Sequence, residues 1–307
     1  MNESMYKYMD VGLIHFMAYP QTIKGEGPIL ETLAEIANDD YFTLVEMTWI
    51  KDAEVRAKAR DMIQHAGMKV AFGGQPTLLT QKLNLNSEDE AERKKAIDQI
   101  KADIDEAYFI GASGCAVLAG KDPGDAGRAK AKDLLVDSLV QLCKYSASKG
   151  SMPVVLETFD RVDYGKNALI GPTAEAVKIS EKVRAQCSNF GLMLDLSHLP
   201  LLGETAREML TTGKDHLVHI HIGNCVMHDA NHPAYGDEHP RFGIAEGEND
   251  VDELAEFLKA LFEIGYLDGK TRRPVSFEVK PIFAHGETSQ AVVANAKRAL
   301  NLAWARI

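Results

Sequence analysis

Four segments in the second half of the chain place ionisable side chains where an apolar pattern calls for none. They are Pro153-Val154-Val155-Leu156-Glu157-Thr158, Leu192-Met193-Leu194-Asp195-Leu196-Ser197-His198, Val218-His219-Ile220-His221-Ile222 and Val275-Ser276-Phe277-Glu278-Val279-Lys280. Each reads as a buried strand whose far end carries Glu, Asp, His or Glu. Burying one ionised carboxylate is expensive, and burying three close together is worse. A divalent cation bound by all of them removes that cost. Three carboxylates and one imidazole suit Mn²⁺, Co²⁺ or Mg²⁺, with two octahedral positions left for substrate or water oxygens; zinc usually takes more nitrogen or sulfur. A single acid at a strand end is more often a helix cap, but four on consecutive strands are not explained that way. His219 and His221 alternate by two and share one face. One of them suffices as a ligand, and the other can hydrogen-bond the next strand.

The elements that must position these residues are legible as eight short β-rich runs. The runs are Val11–Phe16, Phe42–Met47, Lys69–Gly73, Ala112–Ala119, Pro153–Thr158, Gly191–Leu196, Leu217–Ile222 and Pro274–Val279. Most are nearly continuous in apolar residues, as strands of a parallel sheet are when helices cover one face and the core the other. Helical patterns separate them. Glu92–Phe109 carries Ile97, Ile100, Ile104 and Tyr108 on one face, and Asp252–Ile264 carries Leu254, Phe257, Leu258, Leu261 and Phe262. Ala126–Lys149 and Glu287–Arg306 complete the set. Gly67, Gly111, Gly150, Gly191 and Gly265 sit where helices are expected to end. Eight strand–helix units over 1–307 predict a single-domain α/β protein, a (β/α)8 barrel. An open doubly wound sheet is the competitor, but no GxGxxG follows the first strand, which runs into His15-Phe16-Met17. Two connections are long, Thr77–Ala91 and Gly223–Asp250, and both lie on the strand-to-helix side where barrel enzymes keep their sites. The second contains His228, His232 and His239, which resemble a further metal cluster, although a mobile acidic loop holds histidines without one.

Composition narrows the partners. The 307 residues carry a formal net charge of −11, which opposes a nucleic-acid surface, and 45% hydrophobic content is enough for a large core. Cys115, Cys143, Cys187 and Cys225 form no CxxC pair and read as buried small hydrophobes. Met1–Asp10 lacks the apolar stretch of a signal peptide, and no run of about 18 apolar residues occurs. The expectation is a cytoplasmic protein with no membrane segment.

These residues carry a resemblance. The chain resembles the xylose isomerase-like TIM barrel superfamily of sugar isomerases and epimerases, related to ketose 3-epimerases and hydroxypyruvate isomerase. The specific parts are Leu156-Glu157, Leu194-Asp195-Leu196-Ser197-His198, His219-Ile220-His221 and Phe277-Glu278. Phe242-Gly243-Ile244-Ala245-Glu246-Gly247, followed by Asp250, resembles that family's glycine-bearing turn. The first half carries only a generic barrel pattern. The resemblance implies that Glu157, Asp195, His221 and Glu278 bind one divalent metal, most often manganese, with Mg²⁺, Co²⁺ or Zn²⁺ as alternatives. It implies that Glu157 and Glu278 are also the catalytic acid–base pair and that His198 contacts substrate. The implied activity is isomerisation or epimerisation of a small sugar or sugar acid, phosphorylated or not, by proton transfer through a metal-bound cis-enediolate. A homo-oligomer, dimer or tetramer, is expected by the same analogy.

Other residues are open to two readings. Lys280 lies two residues after Glu278 and an extended backbone aims it the same way, either to an enediolate, carboxylate or phosphate, or to solvent. Arg241 either meets an anionic group or lies on the surface. His15 and Glu46, at the ends of the first two strands, either line the pocket or are structural. Decarboxylation or dehydration of a keto sugar acid would use the same metal chemistry. An abasic-site endonuclease needs further histidine ligands on strands three and four, which end instead in Gly73-Gly74-Gln75 and Leu118-Ala119-Gly120. A non-catalytic sugar-binding barrel would not need both glutamates.

Overall fold

The computed structural model describes residues 3–307; Met1 and Asn2, which fall within the predicted domain and the leader reading, lie outside the described residues. Eight parallel strands close into one barrel in chain order. They are β1 (Met9–Ile14), β2 (Leu44–Met47), β3 (Lys69–Gly73), β4 (Cys115–Leu118), β5 (Val154–Glu157), β6 (Phe190–Asp195), β7 (Leu217–Gly223) and β8 (Arg273–Glu278), with β1 also paired to β8. One or more helices follow each strand, the last being Ser289–Ala305. This is the expected (β/α)8 barrel. Val117, Leu156, Leu194, Ile220 and Phe277 face outward and pack in the main core with Ile100, Leu139, Leu258 and Leu300 of the helices. Their sequence neighbours therefore face the barrel axis, by the period of two along a strand. The helix over Val251–Glu263 buries Leu254, Phe257, Leu258 and Leu261 and starts at a capping box between Asp250 and Glu253. All four cysteines are buried and unpaired. Among the described residues no helix is long and apolar enough to cross a membrane.

Three details differ from the sequence reading. β1 ends at Ile14 rather than Phe16, because its pairing with β8 runs from Met9 opposite Arg273 to Leu13 opposite Phe277, and a short helix begins at His15. The segment after β3 is partly helical, over Gln75–Thr80. Gly111 ends its helix in a left-handed conformation with φ 83°, as glycine does, but Gly191 lies inside β6.

Gly191 has another reason. The β6–β7 register slips by one residue, from Leu192 opposite Leu217 to Met193 opposite His219, so Val218 is passed over. The slip brings His219 and His221 into line with Met193 and Asp195, which is how a bulge re-aims side chains beside an active site. Val218 then presses on β6: a Cβ at position 191 would lie 2.5 Å from its Cγ1. Gly191→Ala is expected to destabilise the fold by about 1–3 kcal/mol through overpacking. Urea denaturation checks this, and adding Val218→Ala is expected to return most of the loss.

Candidate active site

Glu157, Asp195 and Glu278 are the last residues of β5, β6 and β8, and His221 is opposite Asp195 in β7. The alternation that sends Leu156, Leu194, Ile220 and Phe277 to the helices sends these four to the axis. One ligand atom from each lies within 4.8 Å of the others, and all four residues are buried. Nδ1 of His221 is 3.2 Å from Oε1 of Glu157 and 2.8 Å from Oε2 of Glu278. Gln75 donates to Oε2 of Glu157 at 2.7 Å, the Ser197 amide to Oδ1 of Asp195 at 2.9 Å, and the Ser197 hydroxyl to Oδ2. Two nitrogens of a single imidazole do not neutralise three carboxylates. The donor set, oxygen-rich, buried and converging, fits a hard divalent cation.

A second polar group stands beside it. The Nδ1–H of His198 donates to the Thr158 carbonyl at 2.7 Å, and its Nε2 is 3.1 Å from Oδ1 of Asp237. Nε2 of His239 is 2.8 Å from the same oxygen and 3.3 Å from Oε1 of Glu278. Lys166 donates to the Asp237 carbonyl at 3.0 Å. Burial opposes charge on these imidazoles, but the carboxylates outweigh it. Asp237 and Asp195 raise His198 well above the ordinary histidine range. Glu46 and Glu157 do the same to His221, and Glu278 and Asp237 bring His239 to about 9. Burial works the other way on Asp237, yet His239, His198 and Lys166 hold it well below the usual carboxylate range. Burial raises Glu278. Without a cation, the carboxylates are thus offset by imidazolium groups.

The cluster opens into a cavity of about 140 Å³, close to the ~150 Å³ that admits one benzene-sized molecule. Glu157, His221, His239 and Glu278 form its polar end, while Phe16, Met17, Ile23, Leu79 and Phe159 give it an apolar wall. Oε1 of Gln75, Oδ2 of Asp237 and Nδ1 of His239 are buried here without a hydrogen-bond partner. Oδ2 of Asp237 instead faces the Lys166 ammonium at 3.4 Å, and Nδ1 of His239 lies 3.8 Å from Oδ2 of Asp195.

The structure brings together the four predicted ligands and sets His198 behind them, against Asp237. Lys280 lines the cavity, paired with Glu238. Two expectations are corrected. His15 is 1% exposed, bonds Thr32 at 2.7 Å and is pushed by burial down to about 3, so it is a neutral core residue; Ile14 and Phe16 line the cavity instead. Arg241 is not among the lining residues, and its Nε donates to Glu287 at 3.0 Å. Glu46 is not on the cavity wall either, but bonds His219 and His221 from below. Of the loop histidines only His239 reaches the site; His228 is exposed and His232 accepts from the Ala234 amide. Sequence reasoning missed Gln75, Asp237, Lys166 and Phe159. The signal for Gln75 was a polar residue just past β3, and for Asp237 its spacing of two from His239.

The family model for the xylose isomerase-like TIM barrel matches residues 34–295. The chain belongs to that family. No curated protein matches it in sequence. Among solved structures it is similar to an L-ribulose 3-epimerase at 17% identity and TM-score 0.72, over 97% of this chain and 96% of that one. It is similar to the IolI protein with a bound zinc atom at 16% identity and TM-score 0.72, over 96% and 98%. A third is a D-psicose 3-epimerase with D-tagatose from Clostridium cellulolyticum H10, at 17% identity and TM-score 0.68, over 96% and 98%. At these identities the likeness shows the fold alone.

Linkage supplies a test of the electrostatics. The folded pKa of His239, about 9, lies above the ordinary 6.5. Its contribution is therefore fully present below 6.5 and lost as the pH rises through 9. Metal-free protein is expected to lose roughly 3 kcal/mol of stability across that window. Urea denaturation at the two ends measures the loss, and His239→Gln is expected to remove most of it.

Proposed function

We propose that this family member is a divalent-metal-dependent isomerase or epimerase of a small sugar, working by proton transfer. The observation that carries the reading is the pair of buried glutamates, Glu157 and Glu278, three strands apart around the barrel, sharing one donor cluster at the end of a cavity sized for one small molecule. Glu157, Asp195, His221 and Glu278 would hold the cation, with Mn²⁺ favoured by three carboxylates against one imidazole. When bound, the cation supplies Lewis-acid polarisation of a sugar carbonyl and acidifies the proton on the adjacent carbon.

The chain's own residues do the rest. Glu157, its Oε2 fixed by Gln75, and Glu278, held by His221 and His239, are the acid–base pair. One removes the proton next to the carbonyl, leaving an enediolate; return of a proton to the neighbouring carbon isomerises the sugar, and return on the opposite face epimerises it. Phe16 and Phe159, both buried, would exclude water from the acidified carbon. His198 and Lys166 hold Asp237 in place beside the cavity.

The charge pattern favours a neutral sugar. Lys166 and Lys280, the cavity's lysines, are both paired, with Asp237 and Glu238. A phosphate or carboxylate would have to break such a pair, which weakens the case for a keto-acid decarboxylase or dehydratase. The endonuclease reading is weaker still, since β3 and β4 end in Gly73 and Leu118 with no histidine after either.

A screen of ketoses and their phosphates in D₂O, with added Mn²⁺ and NMR detection, tests this reading. Deuterium is expected to enter the free ketose at the carbon next to the carbonyl. Glu157→Gln and Glu278→Gln are each expected to slow that exchange by at least ~100-fold. Persistent exchange in both variants would refute the acid–base assignment. Chelation is expected to abolish turnover and Mn²⁺ to restore it, and full activity after chelation would remove the cation from the scheme.

A further inference from the structure

Beneath the ligand layer the barrel axis is built unusually. Barrel interiors are normally filled by branched apolar side chains. Here the apolar part is only Ala116, Val155 and Met193, with Val218 packed against it, and Gly12, Ala71 and Ser276 add little bulk. Apart from Met193, the large side chains at this level are polar. Glu46 is 2% exposed and His219 is 6% exposed. A buried charged or polar pair is often no more stabilising than well-packed apolar residues of the same volume, so stability alone does not account for this one.

Its contacts point upward to the candidate metal centre. Oε1 of Glu46 lies 2.7 Å from Nε2 of His219, and both Glu46 oxygens lie 3.2 Å from Nε2 of His221. The two imidazole rings stand 88° apart, so both Nε2 atoms reach one carboxylate from different directions. The other nitrogen of His221, Nδ1, faces Glu157 and Glu278. A carboxylate on Nε2 keeps the proton there, leaves the Nδ1 lone pair for a ligand bond and locks the ring.

We propose that Glu46, oriented by His219, is the positioning residue of the metal centre: it selects Nδ1 of His221 as the ligand atom and sets the cation affinity. A cavity of about 190 Å³ reaches Glu46 and His219 from the N-terminal ends of the strands, past Ser113, Pro153 and Pro274. The positioning carboxylate is thus reachable from the side away from the substrate, and a small carboxylate entering that cavity can stand in for it. The inference rests on the metal reading of the cluster.

The test measures Mn²⁺ binding by calorimetry and the visible spectrum of the Co²⁺ form, neither of which requires a substrate. Glu46→Gln keeps the volume and is expected to weaken Mn²⁺ binding about 10–100-fold, with a changed Co²⁺ spectrum. Glu46→Asp is expected to recover part of the affinity. Glu46→Ala is expected to bind weakly and to regain affinity when formate is added, which a purely structural role would not produce. Asp195→Asn is the control. If wild-type protein binds no Mn²⁺, or Asp195→Asn binds as wild type does, the metal reading fails. If Asp195→Asn loses Mn²⁺ while Glu46→Gln keeps wild-type affinity and spectrum, the metal reading stands and the positioning role of Glu46 is overturned.

Discussion

Three carboxylates and one imidazole with ligand atoms within 4.8 Å of one another, all out of water at the end of a barrel, set the terms for the rest of this molecule. Like charges this close repel strongly where the dielectric is low. The protein answers with cationic partners on every side. His221 stands between Glu157 and Glu278, His239 joins Glu278 to Asp237, and Lys166 closes the far side of Asp237. Such a network is balanced only while each group holds its place. A divalent cation in the donor cluster would replace part of the imidazolium charge and leave the surrounding hydrogen bonds in position.

The strands supply that placement because their geometry is periodic and their spacing fixed. β5, β6 and β8 each end on one of the clustered carboxylates, and the slip at Val218 brings β7 into step with β6. Gly191 leaves space for the slip, and small residues along the axis leave space for Glu46 and His219. The barrel gives up some apolar packing at its centre to hold a polar column. The outward faces of the same strands, from Val11 to Phe277, retain a continuous apolar core with the helices and supply the stability.

Loops divide the labour differently. Those after β1 and β3 bring Phe16, Met17, Ile23 and Leu79, an apolar wall; those after β5 and β7 bring Lys166, Asp237, Glu238 and His239, a charged one. The asymmetry suits a molecule with an apolar side against the first wall and a polar side toward the second. The lysines, already neutralised within their wall, shape the cavity's field more than they attract an anion.

The barrel and the four residues that converge at its end were legible in the sequence because both rest on short-range regularity. Eight apolar runs separated by helical patterns dictate eight strand–helix units, and the period of two dictates that Glu157, Asp195, His221 and Glu278 face opposite to their apolar neighbours. Contacts between distant segments were not legible. Where β1 stops depends on its pairing with β8, and a shift of that end turned His15 to the core and Phe16 to the cavity. Arg241 met Glu287, 46 residues away, and His219 found Glu46, 173 residues away, rather than a neighbouring strand. The sequence by itself determined which residues face the axis, because that follows from alternation along each strand; only the tertiary structure decided which of them touch, because that depends on closing the barrel and on loops whose paths no local pattern encodes.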